Sequence, residues 1–347
     1  MFDQLIGNAR VKETLRRMLA AGRVPGALCF AGEAGIGKKL FALEVAKALC
    51  CGAPEGTAAC GQCSSCIRIA RIAYPAIDDT EANKKIIWSE YTDVGVVRPA
   101  GRFITVAQMR EVERETNFRP YEGAARVLII EQADQLNEAS SNALLKTLEE
   151  PPPTSHIILL TARPAALLPT IRSRCQTIRF APLTSQEIET HLSSRDKKSM
   201  AADAHLLARA SQGSIGRALS LDAKTYRARR DEMFDILSAL LAPQTDRASL
   251  LRAAEVWADA KHKDEYEPRL EALEMLLRDL WAVVLGAPDE RLINDDLRAR
   301  LVKLSGSVTS RRAARWLSQI EQLRGQLAVN VNRKIATDAL FLAMARD

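Results

Sequence analysis

The sequence contains no apolar segment that approaches the ~20 residues a helix needs to cross a lipid bilayer. It also does not begin with the basic residues, apolar stretch and cleavage site of a secretory signal peptide. Aromatic residues are scarce at 5%, whereas alanine and leucine are abundant, which favours helices. This composition predicts a globular, cytoplasmic protein without a membrane partner. A net charge of +6 without a basic tail is compatible with nucleic-acid contact but does not predict it.

A cytoplasmic chain is expected to keep its seven cysteines as thiols or metal ligands rather than as disulfides. Four thiolates hold Zn²⁺ in a closed tetrahedron, and no ligand position then remains open for catalysis. A C-x8-C-x2-C-x2-C pattern therefore predicts a structural zinc site. Cys50 leaves the identity of the first ligand open, because it could take the place of Cys51. The candidate ligands are Cys51, Cys60, Cys63 and Cys66.

A short apolar run at residues 27–31 leads into a glycine-rich loop and then into a helical pattern. Strand, loop and helix in this order open an α/β nucleotide-binding fold. Further apolar runs alternate with helical patterns, which predicts a parallel sheet, and only helical patterns remain after Pro182. Segment 74–104 is interpreted as irregular. The other predicted strands cover residues 127–130, 157–160 and 176–180, and the predicted helices cover residues 3–21, 39–50, 106–117 and 137–150.

The glycine-rich loop, residues 32–39, follows the G-x-x-x-x-G-K pattern of a phosphate-binding loop and departs from it after the lysine. In this pattern the glycines let backbone N–H groups surround phosphate oxygens, the lysine reaches the terminal phosphates, and a final hydroxyl ligates Mg²⁺. Lys39 stands where that hydroxyl is needed, and an ammonium cannot ligate a metal ion. ATP occupancy of the loop is therefore left open. The candidate nucleotide-binding residues are Gly32, Gly35, Gly37 and Lys38.

The predicted strand at 127–130 is followed by Glu131 and Gln132. A working phosphate-loop ATPase normally has one acid here that orients Mg²⁺ and a second that activates water. Glu131 is one methylene longer than the usual aspartate, and Gln132 is neutral and cannot accept a proton. Together with Lys39, these residues predict that the isolated chain does not hydrolyse ATP. Asp134 is interpreted as a helix-start or surface acid.

These motifs together resemble the bacterial clamp-loader family of AAA+ proteins, and the resemblance extends over nearly the whole chain. The cysteine insertion follows the phosphate-loop helix, as it does in that family. Three departures from the gamma/tau motor pattern make the chain resemble delta-prime-type members instead. They are Lys39, Gln132 and Arg217, which stands one position late in a Gly-Ser-x-Arg sensor motif. The other matching motifs cover residues 2–7, 142–152, 173–175 and 330–334.

The resemblance implies an AAA+ domain at residues 1–182 with a zinc module at 51–66, a helical lid domain at 183–222 and a helical collar domain for oligomerisation at 223–347. It implies a non-hydrolysing stator of the DNA polymerase III clamp loader, which places the sliding clamp on primed DNA during replication. The implied partners are delta and gamma/tau subunits. Arg174, in a Ser-Arg-Cys motif, would be an arginine finger that acts in trans on a neighbouring motor's ATP. The alternatives are a catalytically active gamma-like ATPase subunit and a DNA-binding module built on the zinc cluster.

Overall fold

The computed structural model describes residues 2–54, 56, 58–194, 198–242, 247–257, 264–327 and 331–346. The chain forms two compact units. The first comprises Met1–Arg195 with Gln212–Leu219, and the second comprises Asp196–Ser211 with Ser220–Asp347. The division into three domains made from the sequence stays a prediction. No helix in the described ranges is long and apolar enough to span a bilayer.

The first unit is built on one six-stranded sheet. Its strands are β1 Ala27–Ala31, β2 Ile87–Trp88, β3 Val94–Val97, β4 Arg126–Ile130, β5 Ser155–Thr161 and β6 Gln176–Arg179. They lie in the order β2-β3-β4-β5-β1-β6, and all neighbours are parallel except β2 and β3. Parallel strands covered on both faces are buried along their whole length, which explains the unbroken apolar runs in β1 and β5. The predicted α/β parallel-sheet architecture is confirmed.

Helices connect these strands and form the second unit. Helix α9 and helices α11 to α16 belong to the second unit, as defined above. In chain order the helices are α1 Ala9–Ala20, α2 Lys38–Cys50, α3 Ser64–Ala70, α4 Thr80–Asn83, α5 Val106–Thr116, α6 Glu138–Glu149, α7 Pro169–Arg172, α8 Ser185–Ser194, α9 Lys198–Ala210, α10 Ile215–Ser220, α11 Ala223–Leu240, α12 Arg247–Trp257, α13 Tyr266–Val284, α14 Arg298–Ser305, α15 Ser310–Leu327 and α16 Arg333–Met344.

Two sequence predictions differ from the observed elements. The helix predicted at 3–21 begins only at Ala9, because Gly7 and Asn8 adopt left-handed backbone angles with φ of 59° and 51°. Segment 74–104 contains α4, β2 and β3, so its interpretation as irregular is wrong. β3 is only four residues long, and it becomes a strand of the sheet by pairing with β4. A run this short carries little strand signal without its partner.

A buried ion-pair network joins β3 to β4. Asp93, directly before β3, is fully buried and accepts hydrogen bonds from the backbone N–H groups of Tyr121 and Glu122 at 2.6 and 2.7 Å. Its carboxylate also lies 3.1 Å from the Arg126 guanidinium. Arg126 contacts Glu115 as well, at 3.0 Å. Because buried charges need partners, the loss of either member of the Asp93–Arg126 pair would be strongly destabilising.

The second unit is held together by an apolar core. Its largest fully buried side chains are Trp257, Trp316 and Phe341. Apolar side chains at helical spacing along α11, α13 and α15 fill this core, as expected from the helical patterns that follow Pro182 in the sequence. Asn332 caps α16 by accepting a hydrogen bond from the backbone N–H of Lys334 at 3.0 Å. Asn330, which begins the 330–334 motif, lies outside the described residues.

Candidate functional site

The phosphate loop connects β1 to α2, so it lies at the carboxyl edge of the sheet, where α/β folds bind their ligands. Gly35 and Gly37 have φ values of 75° and 95°, which residues with a Cβ rarely adopt. Gly37 directly precedes α2, and the first N–H groups of a helix have no partner within it. The structure brings Gly32, Gly35, Gly37 and Lys38 together in one loop whose amides are suited to an anion.

Lys38 turns back onto its own loop. Its Nζ donates hydrogen bonds to the backbone oxygens of Gly32 and Glu33, both at 2.6 Å. Burial lowers the pKa of Lys38, and the Asp134 carboxylate partly offsets this effect. A phosphate in the loop would compete with these two carbonyl groups for the ammonium.

Lys39 forms an ion pair with the acid that stands at the end of β4. Its Nζ lies 2.9 Å from Glu131 Oε1 and 3.7 Å from the centre of the Tyr74 ring. Burial by itself lowers the pKa of Lys39, but the Glu131 carboxylate and the Tyr74 side chain together outweigh burial, so the pKa is raised. The ammonium is therefore charged, and it is held by a carboxylate on one side and an aromatic face on the other.

The Lys39–Glu131 pair does not fit Mg²⁺. In phosphate-loop enzymes the metal ion takes a ligand from the loop hydroxyl and is bound by an acid at the end of a strand. Here an ammonium joins those two positions directly, offers no oxygen ligand and would repel a divalent cation. The residues present at this edge of the sheet are therefore unsuited to placing the metal ion.

Gln132 and Asp134 follow Glu131 along the same edge. Gln132 has a left-handed backbone with φ of 49°, and its amide cannot act as a general base. Asp134 accepts hydrogen bonds from Thr161 Oγ1 at 2.9 Å and from Arg163 Nε at 3.0 Å. Asp134 stands in the first turn of a short 3-10 helix, Ala133–Gln135, so its interpretation as a helix-start acid is confirmed, whereas its side chain is only 7% exposed and is not a surface acid. Asp134 instead ties this edge to the end of β5.

A cavity of about 690 Å³ opens beside the phosphate loop. Glu131, Lys38 and Lys39 line it together with apolar side chains from other segments of the first unit. Helix α10 is fastened to the loop, because the Gly216 N–H donates to Gly35 O at 2.8 Å. A Cβ at position 216 would lie 3.1 Å from Gly35 Cα, so glycine is what permits this approach. The apolar lining residues include Leu5, Ile6, Leu40, Ile215 and Leu219.

The four cysteines of the C-x8-C-x2-C-x2-C pattern meet between α2 and α3. Their sulfur atoms all lie within 4.8 Å of one another. Cys51 Sγ is 3.6 Å from Cys60 Sγ, 3.8 Å from Cys63 Sγ and 3.7 Å from Cys66 Sγ. The backbone N–H of Cys66 donates to Cys63 and is the main reason that the pKa of Cys63 falls to about 6. A low pKa favours the thiolate, which is the form that binds metals.

These distances fit a tetrahedral zinc ion. With Zn–S bonds of about 2.3 Å, the sulfurs of a tetrahedron lie roughly 3.8 Å apart. Cys50 does not join the cluster, because its Sγ donates to Ala125 O at 3.2 Å and burial raises its pKa to about 12. The geometry therefore favours Cys51 over Cys50 as the first ligand.

Arg174 follows α7 and is engaged by residues of its own chain. Its Nε donates to Glu149 Oε1 at 2.7 Å, and a second guanidinium nitrogen contacts the same carboxylate. Its Nη1 donates to the backbone oxygen of Thr170 at 3.1 Å. The side chain remains 32% exposed. A contact with a neighbouring subunit's phosphate would therefore have to replace part of this set.

Tyr74 and Glu149 are functional candidates that sequence reasoning missed. Tyr74 lies in the segment interpreted as irregular, and no sequence pattern connects it to Lys39. Glu149 belongs to the 142–152 motif, but nothing in its spacing indicates a contact with Arg174. Both contacts arise only when distant segments pack together.

Comparisons with known proteins match the chain along most of its length. A family profile described as "DNA polymerase III, delta subunit" matches residues 7–184. A second profile, described as "DNA polymerase III, delta subunit, C terminal", matches residues 229–344. The profiles therefore cover the phosphate-loop region and most of the helices of the second unit.

The individual relatives are also subunits of DNA polymerase III. DNA polymerase III subunit delta′ of Escherichia coli strain K12 is 30% identical over 333 residues, covering 95% of this chain and 92% of that protein. The delta′ subunit of Bacillus subtilis strain 168 is 28% identical over 335 residues, covering 96% and 95%. The gamma/tau subunit of Mycobacterium tuberculosis strain H37Rv is 27% identical over 390 residues, covering 100% of this chain and 62% of that protein. The chain therefore belongs to the delta-prime family of DNA polymerase III subunits, which are clamp-loader subunits.

Proposed function

We propose that this chain is the non-hydrolysing stator of a DNA polymerase III clamp loader. The observation that carries the proposal is the ion pair between Lys39 and Glu131, whose charged atoms lie 2.9 Å apart. Phosphoryl transfer depends on a metal ion that neutralises developing charge and on a group that positions the attacking water. Lys39 excludes the metal ion, and the neutral Gln132 does not supply the group that positions the water.

The proposed partners are gamma/tau and delta subunits, and the sliding clamp and primed DNA are reached through the assembled complex in the cytoplasm. The likeness to delta′ and gamma/tau proteins supports this assembly. In this proposal residues 1–182 form the AAA+ domain and residues 183–222 form the lid. The helices within residues 223–347 form the collar through which the subunits associate.

The proposed metal is a structural Zn²⁺. The sulfur atoms lie within 4.8 Å of one another, as a tetrahedral site requires. The ion would fix the turn between α2 and α3 without taking part in chemistry, because four thiolates complete its coordination. The proposed ligands are Cys51, Cys60, Cys63 and Cys66.

Arg174 is the proposed arginine finger for a neighbouring gamma/tau ATPase. A guanidinium that reaches a γ-phosphate stabilises charge in the transition state. The contacts with Glu149 and Thr170 hold this side chain in the isolated chain. In the assembled loader the phosphate would compete for the same N–H groups.

The stator proposal is tested first by measuring ATP hydrolysis by the purified chain alone. Lys38→Ala serves as the control for contaminating ATPases. We expect no turnover above this control, because the site lacks a metal position and a base. Turnover that depends on Lys38 would contradict the proposal and identify an active, gamma-like ATPase.

The finger role is tested by Arg174→Ala in a loader reconstituted with its partner subunits. We expect turnover at the one adjacent ATP site to fall by about 10³-fold or more, so the loader loses that site's share of its stimulated ATPase activity. Arg172→Ala, at an exposed position in α7, is the matched control and should leave the rate unchanged. Equal rates for both variants and the unmodified chain would show that Arg174 is not a finger.

A further inference from the structure

Glu149, the last residue of α6, contacts the guanidinium of Arg174 along one edge. Arg174 Nε donates to Glu149 Oε1 at 2.7 Å, and Arg174 Nη2 contacts the same oxygen. These two nitrogens form the side edge of the planar, rigid guanidinium fork. The end of the fork, which is formed by Nη1 and Nη2, is a separate edge that Glu149 does not occupy.

The other contacts of Arg174 are weaker and lie at this second edge. Arg174 Nη1 donates to Thr170 O at 3.1 Å and to Ser173 Oγ at 3.4 Å, which is long for a hydrogen bond. Each Nη nitrogen carries two N–H groups, and only one N–H of Nη2 can face Glu149. Of the N–H groups for which a phosphate competes, the second N–H of Nη2 and the Nη1 N–H at Ser173 are therefore released most easily. Together they form the paired donors that bind a phosphate group through two oxygens.

The stability of the fold does not explain the pair of Glu149 and Arg174. Their side chains are 47% and 32% exposed, and ion pairs at such exposure contribute little because water screens them. Glu149 also lies in the last turn of α6, where the helix dipole disfavours a carboxylate. Natural proteins break such local rules mainly at functional sites. The acid at this position is therefore better explained by the arginine that it holds than by the helix that it ends.

The backbone around Arg174 is fixed, whereas its side chain needs a partner to hold it. Ile171 is fully buried and accepts a hydrogen bond from the backbone N–H of Arg174 at 3.2 Å, and Cys175 is 8% exposed. The arginine side chain has several rotatable bonds, so ordering it against a phosphate costs conformational entropy. A carboxylate that holds the guanidinium beforehand reduces this cost.

We propose that Glu149 is a positioning residue for Arg174. Its carboxylate holds the Nε–Nη2 edge of the guanidinium, so that the Nη1–Nη2 edge is presented to the ATP of the neighbouring motor subunit. The inference rests on the proposed finger role of Arg174. Glu149 contacts neither the nucleotide nor the reacting atoms, and it acts only through Arg174. Loss of its carboxylate therefore slows hydrolysis at the adjacent site without weakening the binding of ATP there.

The test uses a loader reconstituted from full-length subunits in which only the motor subunit next to this chain retains a hydrolysing site. Glu149→Ala is expected to lower kcat by about tenfold, because the guanidinium is no longer held in place. The KM for ATP should stay within about twofold of the unmodified value. Glu149→Gln keeps an oxygen that accepts from Arg174, so its kcat should lie within about threefold of the unmodified rate. Glu150→Ala removes the neighbouring exposed acid and is the matched control, with an unchanged rate.

A double-mutant cycle with Arg174→Ala separates positioning from a general loss of structure. Glu149→Ala should have no further effect in the Arg174→Ala background, since no guanidinium is left to position. If Arg174→Ala is slow but Glu149→Ala hydrolyses as fast as the Glu150→Ala control, the role of Glu149 is refuted and the finger role stands. If Arg174→Ala itself hydrolyses at the unmodified rate, the finger role fails and the positioning role fails with it. An equal loss from Glu149→Ala in both backgrounds, or a raised KM with an unchanged kcat, would also overturn the proposal, because Glu149 would then act on something other than Arg174.

Discussion

Replacement of Cys51 by serine is expected to release the zinc ion, whereas replacement of Cys50 by alanine is expected to retain it. The two residues are neighbours in sequence but lie in different environments. Cys51 Sγ is within 3.6–3.8 Å of the other three ligand sulfurs. Cys50 Sγ is instead a buried thiol that donates to Ala125 O at 3.2 Å.

The size of the effect follows from the ligand count. Structural zinc in small domains binds with about 10–16 kcal/mol, so each of four equivalent thiolates contributes about 2.5–4 kcal/mol. Cys51→Ser should therefore weaken zinc affinity by roughly 70- to 900-fold. Cys50→Ala loses one weak hydrogen bond and a small volume, which is expected to lower the free energy of unfolding by about 1–2 kcal/mol without affecting zinc.

The assay is zinc content by mass spectrometry on reduced protein, followed by competition with a chromophoric chelator. The unmodified chain and Cys50→Ala should each hold one zinc and release it at the same chelator concentration. Cys51→Ser should release its zinc at a much lower chelator concentration. Loss of zinc from Cys50→Ala with retention by Cys51→Ser would refute the ligand assignment, and less than one zinc in the unmodified chain would refute the zinc site itself.

Three further predictions concern the fold around the site. Asp93→Asn should lower the free energy of unfolding by about 3–5 kcal/mol, measured by urea titration, because Arg126 loses the more deeply buried of its two carboxylate partners; a change below about 1 kcal/mol would contradict this account. Burial lowers the pKa of His156 from 6.5, so the folded state binds fewer protons and stability should fall as the pH drops below that value. A pH titration of stability should therefore be flatter for His156→Asn than for the unmodified chain, and identical slopes would contradict the prediction. Gly216→Ala should destabilise the first unit by about 1–3 kcal/mol because its Cβ would meet Gly35, whereas Gly306→Ala, which meets no atom within 4 Å, should not, and equal thermal midpoints would argue against the close contact.

The general architecture of the first unit could be predicted from the sequence because each buried parallel strand is a run of apolar residues. β1, β4 and β5 carry that signal in their own residues. β3 does not, because four residues that include Gly95 resemble many loops, and only the pairing with β4 makes them a strand. The helix start at Ala9 was also missed, since Gly7 and Asn8 have left-handed angles and Asn8 exchanges hydrogen bonds with the backbone of Ala181, which is remote in sequence.

The site divides in the same way. The groups available to the site could be predicted from the sequence: a loop that can surround phosphate, a lysine where a hydroxyl is needed, a glutamine where a base is needed, and four cysteines spaced for zinc. The partners of these groups could be identified only in the folded chain. In the fold, Glu131 and the Tyr74 ring contact Lys39. Thr161 and Arg163 donate hydrogen bonds to Asp134. Cys51, rather than Cys50, lies among the ligand sulfurs. The physical reason is that residue type fixes charge, donors and acceptors along the chain, whereas distances of a few ångströms between remote segments exist only after the sheet and its helices have packed.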